Sequence, residues 1–254
     1  MKSKLSLLLI IFIVSTFASC KKDMFIRGNE NLSTETRSVQ NFTKLANEGN
    51  FIIQIIQDSL SFVIIEAEDN LISHIRTEVQ NDALIVFTKE TLNNKLPMKL
   101  EIHTPTISDM ELNGSGEINF NHFFNEEYSA VINGSGSISG STNCNKAFLR
   151  SNGSGSMSLG IVTESIDAGI YGSGDIYLVG EAEHGEMVIR GSGSIKDGNF
   201  LQNSCFINTN GSGSIYVNVS EFLDVKIFGS GSVYYQGNPS TNVEIAGSGK
   251  FIKQ

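Results

Sequence analysis

From about residue 110 to the C-terminus, apolar and polar side chains alternate on both sides of a recurring Gly-Ser-Gly triplet. The first glycine of the triplet falls at 114, 134, 153, 172, 191, 211, 229 and 247, a spacing of 18 to 20 residues. Four residues after it stand Ile118, Ile138, Met157, Ile176, Ile195, Ile215, Val233 and Phe251, all apolar. One position earlier stand Glu117, Ser137, Ser156, Asp175, Ser194, Ser214, Ser232 and Lys250, all polar. Two residues before the triplet are Leu112, Ile132, Ser151, Ile170, Ile189, Thr209, Ile227 and Ile245. Four before it are Met110, Ala130, Leu149, Ala168, Met187, Ile207, Val225 and Val243. Only Ser151 and Thr209 interrupt these inward columns. A period of two marks strands rather than helices.

Each unit therefore reads as strand, Gly-Ser-Gly bend, strand and return. At about 3.3 Å per residue, some 19 residues give a path of roughly 60 Å, enough for one circuit that arrives one strand spacing higher. The pattern predicts an all-β chain, a single-stranded parallel β-helix (β-solenoid) with coils of about 18–20 residues. A row of antiparallel hairpins is the alternative, but hairpins need not hold one phase across eight copies. Glycine suits a corner where stacked backbones approach closely, because it has no Cβ to collide with the next coil. Ser115, Ser135, Ser154, Ser173, Ser192, Ser212, Ser230 and Ser248 are expected to line up as a structural ladder along that corner, with hydroxyls that both donate and accept.

Residues 38–110 lack the triplet but hold β-rich runs such as Phe51–Gln57, Phe62–Ala67, Ala83–Phe87 and Met98–His103, separated by polar turns. They are read as irregular first coils and an N-terminal cap, continuous with the repeats at 111–254 in one head domain over 38–254. The last motif runs straight into Phe251-Ile-Lys-Gln254 with no visible cap, so that edge is expected to be covered by self-association with another copy, by another chain, or by the irregular return loops.

The first residues set an address. Lys2 and Lys4 precede an apolar run from Leu5 to Val14, too short for a stable membrane span and laid out as a secretory signal over 1–19. Phe17-Ala18-Ser19-Cys20 resembles a bacterial lipobox, which implies lipidation at Cys20 and a membrane anchor of more than one acyl chain. Residues 20–37 then read as lipidated Cys and flexible tether, and Lys21 after the cysteine favours the outer membrane. Removing the signal takes away Lys2 and Lys4 and moves the net charge from −9 to −11. So acidic a chain does not bind nucleic acid through bulk electrostatics. Hydrophobic residues, 40% of the chain, are ample for a core.

Little in the sequence carries catalytic chemistry. A phosphate loop needs a helix opening after the glycines, and none is predicted. Calcium-binding β-rolls need a ladder of carboxylates, whereas Asp175 stands nearly alone after the second glycine. Asp167, Asp175, Asp197 and Asp224 occupy different phases, and the bland reading of Glu181, Glu183 and His184 is a solvated loop. His74, His103 and His122 are scattered with no zinc spacing. No cofactor and no metal is expected. Cys144 and Cys205 lie three coils apart, about 14 Å, too far for a disulfide.

The units Ile132-Asn-Gly-Ser-Gly-Ser-Ile138, Ile170-Tyr-Gly-Ser-Gly-Asp-Ile176 and Ile189-Arg-Gly-Ser-Gly-Ser-Ile195, with the lipobox, resemble the "putative auto-transporter adhesin, head GIN domain" family of Bacteroidetes surface lipoproteins. The resemblance covers about 40–254. It implies a β-helical, non-catalytic surface module and offers no site residues to carry over. The expected function is an envelope-anchored interaction or adhesion module for a surface glycan or protein. The alternatives are a carbohydrate-active enzyme on the same coil, or a structural envelope component.

Overall fold

The structure, a computed structural model, describes residues 25–254. The signal segment 1–19 and Cys20 lie outside the described residues. In chain order the elements are β1 (Ile26–Arg27), β2 (Leu32–Ser38), β3 (Lys44–Asn47), β4 (Ile52–Gln57), β5 (Phe62–Glu68), α1 (Asp69–Ile72), β6 (Ile75–Gln80), β7 (Ala83–Thr88), β8 (Leu92–Asn93), β9 (Lys99–Thr104) and β10 (Asp109–Leu112). The repeats follow as β11 (Glu117–Ile132), β12 (Ser137–Ser151), β13 (Ser156–Ile170), β14 (Asp175–Ile189), β15 (Ile195–Thr209) and β16 (Ser214–Ile227). The last coil and a half is β17 (Ser232–Gln236), β18 (Ser240–Ile245) and β19 (Lys250–Lys253).

Strands β11 to β16 each wrap most of one circuit and pair in parallel with the circuit before and after. The result is a β-solenoid of about 8 turns. Its register joins Ile118, Ile138, Met157, Ile176, Ile195, Ile215, Val233 and Phe251 into one continuous row. From Ile118 to Val233 that row is fully buried, and each such aliphatic side chain removed from water contributes roughly 2 kcal/mol. A residue's packing partners are thus its own counterparts one turn away. Antiparallel hairpins would have placed consecutive units head to tail, and the parallel register excludes them.

The glycine corners work by close approach. A Cβ at Gly191 would lie 1.8 Å from the Gly172 carbonyl oxygen, and one at Gly193 would lie 1.7 Å from that of Gly174. The rungs along the corner are main-chain bonds: the N–H groups of Ser135, Ser173, Ser192 and Ser248 donate to Gly114, Gly153, Gly172 and Gly229 at 3.1, 2.9, 3.0 and 3.1 Å. All eight serine side chains point to solvent. Among the described residues a hydroxyl-to-hydroxyl bond within this column joins only Ser248 to Ser230, at 3.1 Å. The serines are stacked, but the expected hydroxyl ladder is replaced by a backbone one, since water satisfies an exposed hydroxyl as well as a neighbour does. The side-chain ladder runs two residues earlier, where Asn152 Nδ2 donates to Asn133 Oδ1 and Asn133 Nδ2 to Asn113 Oδ1, each at 2.7 Å. Asn113 ends the row by donating to Glu48 at 2.7 Å.

At the N-terminal end the circuits lose their regularity. β3 and β4 still pair in parallel beneath β10 and β11, with β7 and β9 beneath them. β6 and β5 then close the stack with antiparallel pairing, and β2 pairs antiparallel with β5. The stretch expected to be a tether over 20–37 is therefore, from β1 onward, part of the folded body. Its letters look like a linker because β2 is exposed along nearly its whole length and needs no apolar stripe. The strand is held by its ladder and by Arg37, whose guanidinium donates to the carbonyls of Ile75 at 2.7 Å and Ile72 at 3.1 Å. The buried carboxylate of Glu68 ties the same corner by accepting from the N–H groups of Glu30 and Lys95 at 2.6 and 2.8 Å.

Candidate binding groove

Stacking in register turns single residues into lengthwise rows, and three adjacent rows enclose a groove along the solenoid. The first row is Phe124, Asn143, Val162, Glu181 and Leu201, each paired with its neighbour one circuit away. Their side chains alternate with the inward ones and stand up as a wall, Phe124 being 70% exposed, Val162 42% and Leu201 44%. The floor is the next row, in which Cys144, Thr163 and Ala182 are small and buried. One residue further on, Asn145, Glu164, Glu183 and Asn203 form the second wall. The groove encloses about 560 Å³. It crosses five circuits, roughly 19 Å at the spacing of stacked strands.

The lining decides what the groove can do. Three carboxylates, Glu164, Glu181 and Glu183, point into it, and no Lys or Arg lines it. Its one thiol is a poor nucleophile, because burial pushes Cys144 up from its ordinary value and the thiolate is the reactive form. Thr163, 3.7 Å from the sulfur, opposes that shift only in part. Every strand beneath is already paired on both edges, so a bound chain finds side-chain amides, carboxylates and apolar faces but no free backbone edge. Small buried side chains on the floor let a ligand lie low between the walls.

The other residues singled out in the sequence are dispersed. Glu181 and Glu183 fall on opposite walls of the groove on β14, a strand where a loop was expected, while His184 bonds Ser204 at 2.8 Å outside it. Asp167 pairs with Arg150, and Asp175 accepts from the Ser194 N–H at 2.8 Å. Asp224 binds the Asn242 amide at 2.7 Å. Asp197 is buried and accepts from Gln202 at 2.7 Å. His103, between Asp58 at 3.0 Å and Glu101 at 2.7 Å, stacks on Phe62, while His74 faces Glu90 and His122 faces Ser141. Cys144 and Cys205 are separate free thiols, as their spacing requires. Among the described residues no group of three or more potential metal ligands converges. The groove was legible in part: its wall is an alternate-residue row, but only the register shows that Phe124, Val162 and Leu201 share it.

A parallel β-solenoid carrying a lengthwise groove belongs to the class of repeat-built scaffolds that present one extended surface. The sequence profile of the family described as "putative auto-transporter adhesin, head GIN domain" matches residues 41–239, and the chain belongs to that family. Among solved structures it is similar to a protein described as a putative lipid binding protein from Parabacteroides distasonis ATCC 8503. The two are 23% identical with a TM-score of 0.86, over 91% of this chain and 99% of that one. It is also similar to a putative adhesin from Parabacteroides merdae ATCC 43184, 20% identical with a TM-score of 0.85 over 91% and 99% of the two chains. A putative adhesin from Bacteroides fragilis NCTC 9343 is 22% identical with a TM-score of 0.68 over 90% and 100%. A comparison with curated proteins finds no match.

Proposed function

We propose that this chain is a non-catalytic adhesion module of the bacterial cell envelope, whose lengthwise groove holds an extended, uncharged glycan. One observation carries the reading: a five-circuit trough with apolar side chains at Phe124, Val162 and Leu201 and amide or carboxylate groups between them. Apolar faces accept the C–H surfaces of sugar rings, while Asn and Glu side chains meet their hydroxyls. A peptide strand would find no backbone edge to pair with. The unbalanced carboxylates disfavour an anionic polymer. They also disfavour an anionic lipid headgroup. The family's adhesin description and the likeness to solved structures support a surface role. The lipobox at Phe17–Cys20 supports an anchor at Cys20 in the outer membrane.

The test is a glycan array probed with the purified chain beside Phe124→Ala and Leu201→Ser, both exposed enough to leave the core intact. The wild type binds a neutral oligosaccharide, and each variant loses at least tenfold in affinity. Equal binding by wild type and variants would move the ligand off the groove. Release of a shortened product from the bound oligosaccharide would make the chain an enzyme instead.

A further inference from the structure

The two ends of the solenoid are treated differently. The N-terminal end is closed by antiparallel strands with charged side chains along them, Glu35 and Arg37 on β2 and Arg76 and Glu78 on β6, a pattern that discourages edge pairing. Among the described residues β18 pairs only with β16 and β19 only with β17, which leaves the outer edge of both without a partner strand. β18 is exposed at all six positions. Val243 is 38% and Ile245 45% exposed, although Val225 and Ile227, the residues beneath them, are fully buried.

The backbone of this edge has a definite polarity. The N–H groups of Ala246, Ser248 and Gln254 point down the stack, to the carbonyls of Ile227, Gly229 and Tyr235 at 2.8, 3.1 and 2.9 Å. Backbone groups alternate along a strand, so Val243 and Ile245 on β18, and Phe251 and Lys253 on β19, turn their N–H and C=O groups outward. β18 runs toward the Ser248 corner and β19 runs away from it. A two-fold axis through that corner therefore lays β18 antiparallel on the second copy's β19, and β19 on its β18.

We propose that this edge is a self-complementary interface through which two copies of the chain join end to end about that axis. The register follows from equal distance to Ser248. Ile245 meets the second copy's Phe251, and Val243 its Lys253, so every outward N–H and C=O group meets an outward one. Ile245 and Phe251 also both stand in columns that face the core in the preceding circuits, which makes the two cores continuous. Glu244 stands opposite Ile252 and diagonal to Lys250, within reach of a long side chain. Lys250 and Lys253 also offset part of the repulsion between two acidic chains at this end. An unrelated strand could match the backbone, but the second copy also sets Ile245 against Phe251 and Glu244 near Lys250.

The test is sedimentation velocity across concentration with a cysteine pair that reports the register. In a Cys20→Ser background the remaining native thiols, Cys144 and Cys205, are buried. Ala246 and Lys250 fall opposite one another as a non-hydrogen-bonded pair with Cα atoms about 4.5 Å apart, within disulfide reach. The chain sediments as a concentration-dependent dimer, and A246C/K250C forms a covalent dimer on mild oxidation. Either single variant cross-links at least tenfold less. Ile245→Asp, which sits at the open end and leaves the lower circuits packed, shifts the species to monomer. A monomer at every concentration overturns the proposal, as does a dimer that fails to cross-link or that survives Ile245→Asp.

Discussion

Gly191→Ala is the sharpest probe of the architecture. The added Cβ would lie 1.8 Å from the Gly172 carbonyl oxygen, 2.8 Å from its carbon and 3.2 Å from its nitrogen, all backbone atoms that cannot rotate away. Reaching an ordinary contact of 3.4 Å requires the two circuits to separate by about 1.6 Å at this corner. The Ser192 N–H to Gly172 bond, now 3.0 Å, would then exceed hydrogen-bond range, and the Ser212 N–H to Gly191 bond, also 3.0 Å, would be strained. Two or three rungs at about 1 kcal/mol each give a loss of about 2–3 kcal/mol. The stiffer unfolded chain returns about 0.5 kcal/mol. The net cost is about 2 kcal/mol. Ser192→Ala is the control, since that side chain faces solvent one residue away and its loss costs within about 0.5 kcal/mol. Urea unfolding followed by far-ultraviolet circular dichroism compares the two, and hydrogen exchange locates the damage to the circuits around residues 172–211. If both variants unfold at the wild-type urea concentration, the corner is not close-packed and the reason given for the repeated glycines fails.

Other perturbations follow from Thr209, which interrupts an inward column, and from the buried acid Asp197. Thr209 is buried between Ile189 and Ile227 with its hydroxyl unpartnered, so Thr209→Val raises stability by about 1 kcal/mol in the same urea assay; a loss of stability would mean that the hydroxyl has a partner. Burial pushes the Asp197 carboxyl well above its ordinary range, and the Gln202 bond offsets this only in part. Its folded-state proton is thus held where the unfolded chain has released it. The contribution to stability is complete below the unfolded value of about 3.8 and is lost as pH rises through the folded value. Asp197→Asn removes that dependence, so melting temperatures of the variant and the wild type diverge as pH rises from 4 to 7, the variant being the more stable. Parallel melting curves would show that Asp197 is hydrated in the fold.

The strand period, the repeat length and the two inward columns were legible because each circuit is short and the same position meets the same environment every time. Ile118 through Phe251 could be aligned from letters alone, and so could the need for glycine at the corner. The first corner below the repeats escaped notice because it is written differently. Gly49-Asn50-Phe51 occupies the phase of Gly114-Ser115-Gly116, with the Gly49 carbonyl beneath Gly114, and Asn47 in the inward column bonds both Gly49 and Phe51. Phe51 fits there because the circuit below is no longer a regular one. β2 escaped notice because an edge strand exposed on both faces has no pattern to show.

Local spacing alone determined the coil, its length and its core, since these depend on interactions that recur every 18 to 20 residues. The tertiary structure decided the cap, the groove and the open edge. Each of these depends on residues with no periodic relation: Arg37 with Ile75, the wall shared by Phe124 and Leu201, and the outward backbone groups of Ile245 and Phe251. A repeat announces itself because every turn meets the same neighbour; an end, a seam or a wall is made where that neighbour changes.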